Sequence, residues 1–258
     1  MLLNLMHNGR WIVAALLEFT VAVLALRHGL FRRLPIFTAY LISVVLVEII
    51  RWSLISELGF ASKAYFWCYW LTQAVLIGLR GMVVGEICCK VLGKNIGIWR
   101  LCRIILCGVA GILFANAAVA AWHNQNHVTA LITILERDLE LAILGTLIFA
   151  FMFTRYYIIR VDRLTAWISA GLVFYSAVQV ANHEFISVFR AGFYPLYAQI
   201  VVNSFTICML IWLAAVWKPV PAEAPATAML GAQAYGQVMP EMNLRLRELN
   251  SRLMEILR

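Results

Sequence analysis

Residues 129–154, TALITILERDLELAILGTLIFAFMFT, indicate the fold of this chain more clearly than any other segment. It is longer than the roughly 20 mostly apolar residues that a helix needs to cross a bilayer. Four charged residues lie in its first half: Glu136, Arg137, Asp138 and Glu140. An ionised Asp, Arg or Lys near the centre of a membrane helix costs roughly 2.5 to 3.5 kcal/mol. The stretch therefore predicts one helix of a bundle, with its polar side turned away from lipid.

Six further apolar stretches predict the same architecture for the rest of the chain. Of the 258 residues 63% are hydrophobic and only 13% are charged, too few to cover a water-soluble protein of this size. A transmembrane barrel would need short alternating strands, but residues 101–121 are continuously apolar. We therefore predict an all-α, polytopic bundle of seven transmembrane helices. The predicted spans are 11–27, 34–55, 64–88, 99–122, 129–154, 164–183 and 192–217.

The basic residues predict an orientation, because Lys and Arg accumulate in alternate gaps between the spans. Eleven of them fall on one side: Arg27, Arg32, Arg33, Lys90, Lys94, Arg100, Arg103, Arg155, Arg160, Arg163 and Lys218. Only three fall on the other: Arg10, Lys63 and Arg190. Basic residues favour the cytoplasmic side, so we expect the N-terminus outside and the C-terminus in the cytoplasm. The net charge of +8 is then a topology signal, and nucleic acid is not an expected partner.

The chain divides into three parts by composition. Residues 1–217 form the seven-helix domain, residues 218–240 are a linker rich in Ala, Pro and Gly, and residues 241–258 are a short amphipathic helix. Apolar residues of this last helix recur at steps of four and three, as in a coiled-coil seam. They are Met242, Leu246, Leu249, Leu253 and Ile256. So short a helix must pack on something, and three surfaces are open to it: copies of itself, the bundle, or the membrane.

Polar groups within the spans form the candidate site. The predicted cluster consists of Glu18, Glu48, Arg51, Gln73, Asn116, Glu136, Arg137, Asp138, Glu140, His183 and Asn203. Glu136 and Glu140 share a helix face, and Arg137 lies three residues from Glu140 and flanks it. With acids outnumbering arginines, we expect an acidic recess open to the outer side. The cluster could hold the helices together, bind a ligand or cation, or continue inward through Arg80 and Glu86 as an ion path.

Metal and enzyme sites have little support in the sequence. His123 and His127 fall on the same predicted side as His183 and Glu184, but histidines at a membrane surface are usually solvated, and we expect no metal. HExxH, GxSxG, GxGxxG and P-loop motifs are absent. We therefore expect a non-enzymatic protein without a cofactor. The six cysteines lie within spans or near the predicted cytoplasmic boundary, which argues against a disulfide framework.

Three strings resemble an uncharacterised seven-span family of acidobacterial membrane proteins. They are YFWCYW (65–70), LERDLELAILGTLIFAFMF (135–153) and ICMLIWL (207–213). The resemblance covers spans one to seven. It implies a seven-helix fold and a bacterial inner membrane, and it implies no chemistry. Members of that family tend to have a basic residue near the end of the LER string, where this chain has Glu140. The topology also resembles the seven-span sensor modules of bacterial signalling proteins.

These observations lead to three functional hypotheses. The first is an oligomeric scaffold or assembly unit that self-associates through its C-terminal helix. The second is a receptor-like sensor that binds a small solute in the outer polar recess. The third is an ion or proton conductor. The expected partners are membrane lipid, further copies of the chain, and for the sensor a small solute at the outer face.

Overall fold

The computed structural model describes residues 2–59, 61–93, 96–122, 127–159, 161–189, 194–217, 244–253 and 255. Every regular element in these ranges is a helix. The helices are α1 (Leu2–Arg27), α2 (Leu30–Arg33), α3 (Pro35–Leu58), α4 (Lys63–Leu92), α5 (Ile96–Trp122), α6 (His127–Tyr156), α7 (Arg163–Phe189), α8 (Tyr194–Trp217) and α9 (244–253). The all-α prediction is confirmed, and each predicted span coincides with one long helix. The predicted linker, residues 218–240, lies outside the described residues.

Five helices of the described chain are long and apolar enough to cross a membrane. They are α3, α5, α6, α7 and α8. Their outer surfaces present large apolar side chains, such as Ile112, which is 69% exposed, and Phe149, which is 68% exposed. A water-soluble monomer rarely exposes apolar surface on this scale. The chain is therefore a multi-pass membrane protein, as its composition predicts.

The long helices form a closed ring of contacts, with α5 packed against α4 and α6. α1 packs against α3 and α8, and α3 packs against α4. α6 contacts α4, α5 and α7, and α7 packs along α8. Polar groups on α6 are therefore within reach of three neighbouring helices.

One buried tryptophan fixes α7 against α8. The Trp212 indole on α8 packs edge-on against the Phe37 ring, with 5.1 Å between the ring centroids. Its Nε1 donates a hydrogen bond of 3.0 Å to the Ile168 carbonyl oxygen of α7. Gly171 makes room for the indole, because a Cβ atom there would lie 2.9 Å from Trp212 Cδ1. The result is a dense contact between α7 and α8, without an unpaired indole N–H.

Glu86 of α4 caps the start of α3. Pro35 begins α3, and the next two backbone N–H groups, of Ile36 and Phe37, donate to the two Glu86 carboxylate oxygens at 2.9 and 2.8 Å. The first N–H groups of a helix have no partner within the helix, and a negative charge is favourable there. The sequence offers Glu86 as the continuation of an ion path. In the structure both of its carboxylate oxygens bind the start of α3 instead.

Candidate functional site

A buried ion pair between α4 and α6 forms the centre of the site. Arg80 Nη1 donates to Glu140 Oε1, and Ser176 Oγ of α7 donates to Glu140 Oε2 at 2.5 Å. Arg80 is 5% exposed and Glu140 is 1% exposed. Both carboxylate oxygens thus have a donor, as a buried carboxylate requires, whereas Arg80 Nε has no hydrogen-bond partner among the described residues.

The ion pair continues as a row of polar contacts toward α3. Arg80 Nη2 lies 3.8 Å from Glu136 Oε1, an ion pair one helical turn before Glu140. Gln73 Nε2 donates to the same Glu136 oxygen at 2.9 Å, and the Gln73 carbonyl accepts from Arg51 Nη2 at 3.2 Å. We call this set the polar chain: Arg51, Gln73, Glu136, Arg80, Glu140 and Ser176. It joins side chains of four helices, α3, α4, α6 and α7.

Both arginines of the polar chain also lie over aromatic rings. The Arg51 guanidinium carbon is 4.4 Å from the Tyr69 ring centroid, and its nitrogens donate to Thr72 Oγ1 at 2.9 and 3.1 Å. The Arg80 guanidinium carbon is 5.0 Å from the Tyr175 ring centroid. Cation–π contacts of this kind contribute roughly 0.5 to 2 kcal/mol, with the larger values where water is excluded. These rings restrict the position of each guanidinium group.

The charges of the polar chain balance. The sequence predicts a cluster in which acids outnumber arginines, but the polar chain contains only two of those acids, Glu136 and Glu140. Arg80 contacts both carboxylates, and Arg51 reaches Glu136 through Gln73. Formally two positive and two negative charges then meet between the helices. The polar chain, with its balanced charges, holds α3, α4, α6 and α7 in register.

Arg137, Asp138 and Asn116 form a second, separate cluster between α5 and α6. Arg137 donates to Asp138 Oδ1 through Nε at 2.9 Å and Nη2 at 2.8 Å, and Asn116 Nδ2 donates to Asp138 Oδ2 at 3.0 Å. The sequence predicts Arg137 beside Glu140, and the structure differs. The Arg137 side chain is 52% exposed, whereas the Glu140 carboxylate is buried against Arg80 and Ser176.

Glu18 and Glu48 lie at a groove between α1 and α3. The groove has a volume of about 280 Å³. Glu18 is 6% exposed, and within the described residues its Oε2 has no hydrogen-bond partner. This place is the closest match in the structure to the predicted recess, but its lining is mostly apolar.

The last two predicted residues lie on α7 and α8. The His183 ring packs against the Tyr197 ring with 5.7 Å between centroids, and the Asn203 side chain is exposed. Neither belongs to the polar chain. The predicted set thus divides into the polar chain, the Asp138 cluster, the groove and these two positions.

The predicted cluster does not contain Arg80 or Ser176, although the sequence offers Arg80 as an inward continuation of the cluster. A signal for Arg80 exists, because Gln73 and Arg80 are seven residues apart and so lie on the same face of α4. A polar residue at Gln73 and a charge two turns later indicate one polar stripe. No comparable signal points to Ser176, a small hydroxyl residue in an apolar span.

The helix at residues 244–253, α9, packs on one end of the bundle. Leu246 is buried against Leu92 and Ile98, the last residue of α4 and an early residue of α5. Leu249 and Leu253 border the same cluster, together with side chains near the end of α6 that include Phe153 and Tyr157.

A backbone hydrogen bond fixes α9 at this place. The Gly97 backbone N–H in the first turn of α5 donates to Asn250 Oδ1 at 2.7 Å. A Cβ atom at position 97 would lie 2.7 Å from the Asn250 carbonyl oxygen, so the close approach requires glycine. Of the surfaces open to the predicted seam, these residues contact the bundle. Met242 and Ile256, the two outer seam positions, lie outside the described residues.

Metal ligands and known relatives give no further guide to the chemistry of the site. Within the residues that the structure describes, no three His, Cys, Asp or Glu side chains are placed to hold a metal ion. His123 lies outside those residues. The six cysteines are free thiols.

The chain matches no protein-family model, no curated protein and no solved structure.

Proposed function

We propose that this protein is a non-enzymatic, receptor-like sensor of the bacterial inner membrane with seven spans. The observation that supports this proposal best is that α4 and α6 take part both in the polar chain and in the surface that contacts α9. Midway along their length they contain Arg80, Glu136 and Glu140 of the polar chain. At one end they form, with α5, the surface on which α9 packs. A change in the packing of α4 against α6 is thereby transmitted to a helix outside the bundle.

The proposed orientation places α9 in the cytoplasm and the first residues outside. The excess of Lys and Arg in alternate gaps supports this orientation. The inner-membrane location rests on the same bias and on the family resemblance. In this orientation the outer half of the bundle contains the Arg51 end of the polar chain, and α9 is the cytoplasmic output.

The proposed mechanism is a shift between two packings of the bundle. A solute that binds one packing more tightly than the other shifts the population by its difference in affinity. Arg80 contacts two acids one helical turn apart on α6, Glu140 through Nη1 and Glu136 through Nη2 at 3.8 Å, and in the proposed second packing Glu136 becomes its main partner. A shift of Arg80 toward Glu136 would move α4 along α6 and weaken the surface under Leu246.

The test is the protection of α9 from hydrogen exchange in nanodiscs. Leu246→Asp should release α9 directly and define the exchange rate of the free helix. Glu140→Gln, which weakens the ion pair far from α9, should raise exchange in residues 244–253 toward that rate. The matched control is Glu57→Gln, an exposed acid near the end of α3. Unchanged protection of α9 in folded Glu140→Gln and in the milder Ser176→Ala would refute the proposed coupling.

The scaffold hypothesis remains a second proposal with its own test. The seam residues Leu246, Leu249 and Leu253 pack on the bundle, so self-association would require them to leave it or to exchange between copies. Truncation after Lys218 should then lower the oligomer size in detergent. An unchanged oligomer size would show that α9 has no role in assembly.

The conductor hypothesis has the least support. A conduction path needs polar groups that continue from the polar chain to the other end of the bundle, and Glu86 was the predicted continuation. That carboxylate binds the first N–H groups of α3. A proton flux in proteoliposomes that Glu18→Gln abolishes would restore this hypothesis.

A further inference from the structure

The groove between α1 and α3 has an apolar wall and an acidic floor. Its wall residues include Leu16, Phe19, Ile49 and Trp52, each more than half exposed. The groove is therefore open on the lipid side. At about 280 Å³ it lies just below the roughly 300 to 1,000 Å³ of common ligand pockets. It has room for a small amphiphile.

The acidic floor consists of Glu18 of α1 and Glu48 of α3. Glu18 is more than nine-tenths buried, and its Oε2 has no hydrogen-bond partner in the described part of the chain. A buried carboxylate oxygen without a donor is unfavourable unless the group takes up a proton or a ligand supplies a donor. The second carboxyl group, Glu48, lines the same groove. A ligand with a compact group of several N–H donors and a positive charge fits this pair.

We infer that the groove binds an amphiphilic primary amine. Its ammonium group would lie between the Glu18 and Glu48 carboxyl groups, because an ammonium group offers three donors and no acceptor. Its alkyl chain would lie along Leu16, Phe19 and Ile49. Glu18 stands near the middle of α1, so a single-chain amine that enters laterally fits the site better than the headgroup of a bilayer lipid. A simple metal ion would leave the apolar wall without a role.

This site deepens the proposed function by naming the chemical class of the solute, and its signalling consequence rests on that function. Glu48 and Arg51 are three residues apart on α3 and thus lie on neighbouring positions of one face. Arg51 is the α3 member of the polar chain. An ammonium group at Glu48 changes the field at Arg51, and Arg51 binds Gln73 of α4.

The test measures saturable binding of decylamine to protein in nanodiscs, after subtraction of binding to empty nanodiscs. Decanol, with the same chain and no charge, is the comparison ligand. We expect one saturable decylamine site and no saturable decanol site. Glu18→Gln and Glu48→Gln should each weaken decylamine binding by about tenfold or more, which corresponds to the loss of one charge contact. Glu57→Gln should bind as the unchanged protein does.

A second variant tests the groove without altering a charge. Ala15 lines the groove, and Ala15→Phe should fill it and abolish binding. Ala39→Phe, at an exposed position of α3, is the matched control. Equal binding of decanol and decylamine, or full binding by folded Glu18→Gln and Ala15→Phe, would overturn the inferred site. If filling the groove raises the self-association of the chain instead, its occupant is a second copy and the amine site is likewise refuted.

Hydrogen exchange of α9 separates the site from the sensor function. Saturable decylamine binding together with increased exchange in residues 244–253 supports both. Saturable binding without any change at α9 supports the site and contradicts the sensor function. Absence of saturable binding overturns the site alone, because Glu140→Gln still decides the coupling between the polar chain and α9.

Discussion

Glu140→Gln is the most informative single substitution, because it removes one charge from the buried pair and keeps the shape of the side chain. Arg80 and Ser176 donate to different oxygens of Glu140, so the single amide oxygen can still accept from Arg80 while the amide NH2 replaces the oxygen that accepts from Ser176 Oγ. The charge-assisted bond, worth roughly 1.5 to 3 kcal/mol, becomes a neutral one worth roughly 0.5 to 1.5 kcal/mol. Arg80 also becomes a buried cation whose remaining acid is Glu136, at 3.8 Å. Removal of one partner of a buried pair costs roughly 3 to 5 kcal/mol, and Glu136 offsets part of this cost.

We therefore expect a loss of about 2 to 4 kcal/mol in the free energy of unfolding, from the same bond and pair values. The assay is reversible unfolding of the detergent-solubilised protein, followed by circular dichroism. Arg80→Gln should destabilise the protein by a similar amount. The double variant should be more stable than the sum of the two losses predicts, because neither Arg80 nor Glu140 then remains as a charge that has lost the other, and Glu136 keeps its hydrogen bond from Gln73. The control, Glu57→Gln, should stay within about 0.5 kcal/mol of the unchanged protein.

Two results would refute this reasoning. A loss below about 1 kcal/mol for Glu140→Gln would mean that the carboxylate is solvated or otherwise compensated, since a typical neutral hydrogen bond alone contributes that much. Strict additivity of Arg80→Gln and Glu140→Gln would mean that the two side chains do not interact. Either outcome would remove the polar chain as the element that couples α4 to α6.

Three further substitutions test the contacts around the site by the same unfolding measurement. Glu86→Ala leaves the first N–H groups of α3 without their acceptor and should cost about 1 to 2 kcal/mol, as the loss of a helix cap does; a neutral effect would show that water replaces the cap. Gly171→Ala places a Cβ against the Trp212 ring and should destabilise the protein by about 1 to 3 kcal/mol; no loss of stability would show that α7 and α8 separate freely. Asp138→Asn should cost less than about 1 kcal/mol, because its partner Arg137 is 52% exposed, although Asp138 itself is only 13% exposed; a loss as large as that of Glu140→Gln would place this cluster in the core.

Much of the fold follows from local properties of the sequence. Apolar stretches of about 20 residues or more give the helices, so the long helices coincide with the stretches that the sequence predicts. The charged residues of α6 require protein partners in any such bundle. The spacing of Glu136 and Glu140 gives them one face, and the structure turns both toward Arg80.

The partners of these side chains do not follow from local properties. The sequence assigns Arg137 to Glu140 because the two are close along one helix. In the structure Arg80 of α4 and Ser176 of α7 donate hydrogen bonds to the Glu140 carboxylate, while Arg137 binds Asp138. Likewise, the sequence shows Glu86 only as an acid within an apolar span. The approach of α3 makes its carboxylate the cap of the first N–H groups of that helix.

The helical fold, the membrane location and the need of the intramembrane charges for protein partners all follow from the sequence alone, although Arg137 meets that need at a half-exposed position. Helical periodicity and the free energy of charges in lipid are properties of single segments, and they need no knowledge of the neighbours. The place of Arg80 in the polar chain and the packing of Leu246 of α9 beside Leu92 become visible only in the folded bundle. Those pairings depend on the order, rotation and relative height of the helices, which arise from the packing of the whole bundle.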